Sequence, residues 1–319
     1  MKIKFEHIED FLGKKSTRFF SNGYKRTIRT ITDVVITSKT AEAICTVSMP
    51  EDWSIKGAAP QVAHLSSVDA VLITLQLSEA YCVVLRALSE TMRKAITIVS
   101  FSSKAGKTPF EDLENFKATT TLSSVDGDLF SFISYVGEIR VELQLRLPLA
   151  CDDPATIPKE GLHYSLINDI LGEPSNNFYG TGFADVSHDI NDVVVDLETS
   201  SVTATVDSAY PNRTAYQGME TAFDHCVSPI DAMVITSQLV QCYLYLLDGL
   251  SRANSSTLWM RAMTFSTVDQ PAADTSSVFI EVVRSERVLV EGTPWRCVNV
   301  KGYIGGMTIF YGLGHALPQ

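Results

Sequence analysis

Polar and apolar positions along this chain follow two periods. Two stretches, "VDAVLITLQLSEAYCVVLRALS" at 68–89 and "IDAMVITSQLVQCYLYLLDGLS" at 230–251, are apolar almost all round. Such a helix has no face to give to water, so each is predicted as a helix buried on all sides. At about 22 residues it would run roughly 33 Å. Elsewhere apolar and β-branched residues alternate with polar ones. "KAITIVSFSS", "FKATTTLSS" and "LFSFISYVGEIRVELQLRLP" do so in the first half, and "TLWMRAMTFST", "SVFIEVVRSERVLVE" and "WRCVNVKGYIGGMTIFYGL" in the second. Period two predicts strands there, as it does at about 29–48 and 190–207.

The two helical strings are one motif written twice. They align without a gap, 162 positions apart, with identities at Asp69/Asp231, Ala70/Ala232, Ile73/Ile235, Thr74/Thr236, Gln76/Gln238, Leu77/Leu239, Tyr81/Tyr243, Leu85/Leu247, Leu88/Leu250 and Ser89/Ser251. Upstream, "IEDFLGKKSTRFFSNGY" (8–24) matches "INDILGEPSNNFYGTGF" (167–183), and "ITDVVITSKT" (31–40) matches "INDVVVDLET" (190–199), both at an offset of 159. Downstream only a Gly-x-Ile step survives, Gly137-Glu138-Ile139 against Gly302-Tyr303-Ile304. Repetition at a fixed period predicts tandem copies of one unit, spanning 1–155 and 156–319. Their boundary is expected in the aperiodic, Pro-bearing "LACDDPATIPKEG" (149–161). Each copy reads as an opening loop, strands, the long helix and more strands. A curved antiparallel sheet around one central helix is the hotdog arrangement. The predicted class is therefore α+β, a double hotdog.

Composition narrows the function. The chain has 319 residues, 45% of them hydrophobic, enough for one large core or two ordinary ones. A net charge of −11 argues against nucleic acid as a partner. Residues 1–29 depart from this, with Lys2, Lys4, Lys14, Lys15, Arg18, Lys25, Arg26 and Arg29 against Glu6, Glu9 and Asp10. That run reads either as a solvated face or as a dock for an acidic carrier protein or a phosphate. No clean apolar run of 18 residues predicts a membrane span, and the start lacks the apolar core of a signal peptide. Cys45, Cys82, Cys151, Cys226, Cys242 and Cys297 show no C-x-x-C spacing, which reads as reduced thiols in a cytoplasmic protein. No histidines stand at metal-ligand spacing, so no metal is expected. "SSKAGKT" carries Phe101 where a phosphate loop needs its first Gly, and neither G-x-S-x-G nor G-x-G-x-x-G occurs.

Chemistry gathers ahead of each long helix. "HLSSVD" (64–69) and "HCVSPID" (225–231) both contain S-x-x-D, a capping box of Ser66 with Asp69 and of Ser228 with Asp231. The helices are thus expected to begin near Ser67 and Pro229. His64 and His225 stand just before the caps, beside backbone amides that could polarise a carbonyl oxygen. Both are candidate bases, and Asp69 and Asp231 are candidates beside them. Thr74, Gln76, Thr236 and Gln238 are polar groups on buried helices. They either bond to nearby backbone or line a cavity and hold a polar ligand.

The segment "FDHCVSPIDAMVITSQLVQCYLY" (223–245) resembles the F-D-H…P-G-M signature of the A-factor biosynthesis hotdog family, with Phe223, Asp224 and His225 on F-D-H and Met233 on the Met. The opening "IEDFLGKKSTRFFSNGYKR", together with the length and twofold layout, resembles the avirulence protein D family over essentially the whole chain. That resemblance implies secondary-metabolite synthesis, in which a β-ketoacyl thioester on acyl carrier protein or coenzyme A is joined to a small sugar or sugar phosphate. A lactone of the syringolide or butenolide type would follow, with no further cofactor. The candidate catalytic residues are thus His225, His64, Asp231 and Asp69, and the candidate substrate-binding residues Asp224, Thr236, Gln238, Thr74 and Gln76, with the His225 site favoured because its surroundings match the F-D-H signature. The signature's Glu, which is also the acid of hotdog dehydratases, falls at Leu75 and Ser237. A thioesterase or dehydratase, or a non-catalytic acyl-binding protein, is the alternative expectation.

Overall fold

The computed structural model describes residues 1–56, 59–148, 157–224, 226–267 and 277–318. Its strands are β1 (Lys2–His7), β2 (Ile28–Ile36), β3 (Thr40–Ser48), β4 (Ile55–Lys56), β5 (Ala59–Pro60), β6 (Thr97–Lys104), β7 (Phe116–Asp126), β8 (Leu129–Val136), β9 (Ile139–Arg146), β10 (Leu162–Leu166), β11 (Ser187–Asp196), β12 (Ser201–Ala209), β13 (Trp259–Thr267), β14 (Ser277–Val290), β15 (Thr293–Ile304) and β16 (Met307–Ala316). The helices are α1 (Glu9–Leu12), α2 (Ser67–Arg86), α3 (Glu90–Lys94), α4 (Asn168–Leu171) and α5 (Pro229–Leu247). Apart from the β4–β5 hairpin, the described strands form one antiparallel sheet. Its order is β1-β11-β12-β14-β15-β16-β13-β6-β9-β8-β7-β3-β2-β10.

That order reads the same from either edge. β2, β3, β7, β8, β9 and β6 run inward from one side; β11, β12, β14, β15, β16 and β13 do so from the other. They meet at β6–β13, where Phe101 pairs with Phe265 and their rings stack at 5.1 Å. The opening segments, expected as loops, are strands, and each crosses to the other half. β1 pairs with β11, setting Phe5 against Val193, and β10 pairs with β2, setting Tyr164 against Val34. An edge strand that pairs more than a hundred positions away has no local partner to betray it. The expected boundary falls largely at 149–156, outside the described residues.

The two long helices begin where their caps predict. Ser66 and Ser228 accept the amides of Asp69 and Asp231, and both aspartates reach back to the cap amide. α2 lies against β2, β3, β7, β8 and β9, and α5 against β11, β12, β14, β15 and β16. A sheet laid around a buried helix is a hotdog-type α+β fold. Leu72, Ile73, Leu75 and Leu77 on α2 are wholly buried, so truncating any of them to Ala would cost about 2–5 kcal/mol. Both helices are long and apolar enough to cross a membrane, yet 89% of each apolar window is buried inside the protein.

Candidate active site

Between the start of α2 and the middle of α5 lies a cavity of about 630 Å3. Both halves of the chain build it. The first contributes Arg18, Phe19 and Phe20, Trp53, Lys56 and the His64–Val68 stretch; the second contributes Met233 and Gln241 of α5, Arg252 and Trp259. The three tryptophans of the chain, Trp53, Trp259 and Trp295, all line it. Trp53 is held there by a close approach. A Cβ on Gly23 would stand 2.2 Å from the Trp53 carbonyl oxygen, so only glycine fits beneath it.

His64 lies between two of these indoles, with ring centroids 5.6 Å from Trp53 and 4.9 Å from Trp259. Its Nδ1 is 3.0 Å from the carbonyl oxygen of Val62. A carbonyl only accepts, so in the neutral ring Nδ1 carries the hydrogen and Nε2 keeps its lone pair. Next to it α2 begins. The first amides of a helix have no partner within it, and Ser66 Oγ takes that of Asp69. The amides of Ser67 and Val68 have no acceptor within the helix, and both residues belong to the cavity wall, at the positive end of the helix dipole. A ring nitrogen with an open lone pair therefore stands beside the positive end of α2. Among the described residues no His, Cys, Asp or Glu side chains gather in the threes that hold a metal ion.

A family model described as Pseudomonas avirulence D protein (AvrD) matches residues 3–318. The chain belongs to the AvrD family. No curated protein matches it. Among solved structures, a hot dog fold protein from Alicyclobacillus acidocaldarius is 7% identical, with a TM-score of 0.41 over 90% of this chain and 96% of that one. An acyl-ACP thioesterase from Bacteroides thetaiotaomicron is 12% identical, at 0.39 over 78% and 90%. A 12:0-ACP thioesterase from Umbellularia californica is 7% identical, at 0.42 over 78% and 87%.

In this AvrD chain the start of α5 is built differently. His225 lies outside the described residues. In the ungapped helix alignment Cys226 stands where His64 does, and its thiol is pushed up to about 11, mainly by burial. Arg213 reaches both the carbonyl and Sγ of Cys226 at 3.0 Å, and its Nη2 meets Glu220 at 3.5 Å. Glu220 in turn accepts from Tyr179 at 2.5 Å and from the Ile98 amide at 3.1 Å. Glu79, the counterpart of Gln241, is wholly buried and held by Arg93 at 3.1 Å. Where Phe20, His64 and Gln241 line the cavity, their counterparts Tyr179, Cys226 and Glu79 thus sit in buried polar contacts.

The remaining expected residues have structural partners. Asp69 is gripped by Arg29 at 2.6 Å, and Asp231 meets His188 Nε2 at 3.0 Å, with His188 Nδ1 2.8 Å from Ser208 Oγ. Asp224 is exposed and accepts the Arg213 amide at 3.4 Å. Gln238 donates to the carbonyls of Val234 and Phe20 at 3.1 and 3.0 Å, and Thr236 donates to that of Ala232 at 2.6 Å. Gln76 reaches Leu72 O at 3.5 Å, whereas the buried Thr74 hydroxyl has no partner among the described residues. None of the four helix residues lines the cavity; Gln241 does. The repeat held a clue to it, since position 79/241 is polar in both copies. Lys56, Arg252 and the tryptophans lie outside every motif and could not have been found that way. The basic run at 1–29 divides as well. Lys2, Lys4 and Lys14 are exposed, while Arg18 is buried and faces the cavity.

Proposed function

We propose that the chain is a double hotdog of two tandem units, 1–155 and 156–319, and that it transfers a β-ketoacyl group from a thioester to a hydroxyl of a small sugar or sugar phosphate. The repeated strand order supports the tandem reading. Membership of the AvrD family supports the setting in secondary metabolism. The observation that carries the chemistry is His64, its Nδ1 committed to Val62 O beside the first amides of α2 in a cavity made by both halves. It moves the proposed centre to the α2 end, away from His225.

His64 Nε2 takes the proton of the acceptor hydroxyl, whose oxygen adds to the thioester carbonyl carbon. The carbonyl oxygen becomes an anion, stabilised by the Ser67 and Val68 amides. Collapse of the adduct breaks the carbon–sulfur bond, and the departing thiolate takes up the proton from His64. The activated methylene of the β-ketoacyl ester then adds to the carbonyl of its own sugar, its proton passing to the new alkoxide, to close a lactone. The donor arrives on acyl carrier protein or coenzyme A, with exposed Lys2, Lys4 and Lys14 available to an acidic carrier. Dehydration asks for a second acid-base group. The positions where the family signature has Glu are here Leu75 and Ser237, both wholly buried.

Mass spectrometry of the protein with a β-ketoacyl thioester, with and without a sugar acceptor, tests this. An acyl-sugar adduct that requires the acceptor and disappears in His64→Gln is expected. Acceptor-independent release of the β-keto acid would make the protein a thioesterase instead, and an unchanged thioester would make it an acyl-binding protein.

A further inference from the structure

Three buried or half-buried cations meet at one wall of the cavity. Arg252 donates through Nη2 to the carbonyl of Thr17 at 2.6 Å and through Nη1 to that of Ile55. The next residues in the chain are Arg18 and Lys56. One guanidinium thereby gathers the two backbone segments that carry the other two charges, and all three side chains line the cavity. Their partners are mostly neutral. Lys56 Nζ meets the Tyr245 hydroxyl at 3.3 Å and the Ser256 carbonyl. Arg18 Nη1 donates to Gln238 Oε1 at 2.5 Å, and its Nη2 meets one carboxylate, Glu9, at the long distance of 3.5 Å. Arg18 is 2% exposed, and its Nε has no hydrogen-bond partner among the described residues. The carboxylates on the cavity wall, Glu138 and Glu291, are both exposed.

Burying like charges together is costly unless an opposite charge joins them. The cost is visible in the groups themselves. Burial lowers Arg18 and Arg252, and burial with the nearby Arg252 charge brings Lys56 down to about 7. Two guanidinium groups and an ammonium around one space match the oxygens of a phosphoryl group.

We infer that Arg18, Lys56 and Arg252 form a phosphate subsite in the His64 cavity. It rests on the acyl-transfer reading only for the source of the phosphate, which is either a phosphorylated sugar acceptor or the phosphopantetheine arm of the donor.

Inorganic phosphate titrated into the full chain, followed by the fluorescence of the three cavity tryptophans, tests the site without any turnover. A saturable change is expected with phosphate and none with chloride at matched ionic strength. Lys56→Gln and, separately, Arg252→Gln are each expected to weaken it about tenfold, or about 1.4 kcal/mol. Arg252 also ties backbone together, so Lys56→Gln and thermal melts of both variants guard against misfolding. No saturable response, or one that neither folded variant alters, would overturn the inference. Kinetics then separate the sources. A lower KM for a ketose phosphate than for the free ketose, lost in Lys56→Gln, assigns the site to the acceptor. The same contrast between phosphopantetheine and pantetheine thioesters assigns it to the donor. No advantage from either phosphate would overturn the site as a substrate subsite. Phosphate binding that persists while no thioester is consumed would instead sink the acyl-transfer reading and leave the anion site standing.

Discussion

His188 Nε2 lies 3.0 Å from Asp231, and Arg29, at the matching position 159 residues earlier, holds Asp69 at 2.6 Å. One fold position has kept its job, anchoring the third residue of a buried helix to a strand, while its chemistry changed from a permanent cation to a titratable ring. Both aspartates are wholly buried. Removing the partner strands a charge, so Arg29→Ala is expected to lower stability by about 3–5 kcal/mol in urea unfolding at pH 7. A loss below 1 kcal/mol would show that water reaches Asp69.

Acid should act on the second anchor. Burial alone would raise the Asp231 carboxyl, but His188 and the Ser228 bonds outweigh it and hold it below its ordinary value. A depressed carboxylate contributes stability above its unfolded value, about 4, and that contribution is lost as pH falls through the folded value. His188→Ala should therefore move the acid-unfolding midpoint to higher pH. An unmoved midpoint would mean that another group governs acid unfolding.

His64→Gln is expected to lower kcat/KM for acyl transfer by about a hundredfold or more, the range of a positioned base. Tryptophan quenching by phosphate should persist in the same variant. Loss of both together would point to a collapsed cavity rather than to a missing base.

Lys56 sets a pH dependence for phosphate binding. Its ammonium is brought down to about 7 by burial and by Arg252, and His315, Tyr245 and Arg18 are the other titratable groups around it. A bound anion favours the charged form, so the protein should take up a proton on binding at pH 8, and affinity should fall as pH rises through 7. Calorimetry in two buffers of different ionisation heat measures that proton directly. Equal heats would exclude Lys56 from the site.

Thr74 gives a test of the opposite sign. Its hydroxyl is buried without a partner among the described residues, and Val has nearly the same shape. Thr74→Val is expected to raise stability by about 1 kcal/mol and to leave transfer unchanged. Lost activity with a folded protein would restore Thr74 to the substrate site.

Local patterns settled much of this protein in advance. Apolar residues on every face made α2 and α5 buried helices, S-x-x-D marked where each begins, and the repeated string showed that the two helices are alike. These depend on neighbours within a few residues, or on likeness between copies, and both are written in the chain. Only the tertiary structure exchanged β1 and β10 between the halves, because strand pairing across more than a hundred residues leaves no local trace. It also drew Arg18, Lys56 and Arg252 together through two backbone carbonyls, set His64 between Trp53 and Trp259, and gave the α5 end to Arg213 and Glu220. Such meetings are decided by which surfaces pack, and charge and aromatic character along a sequence carry no record of that.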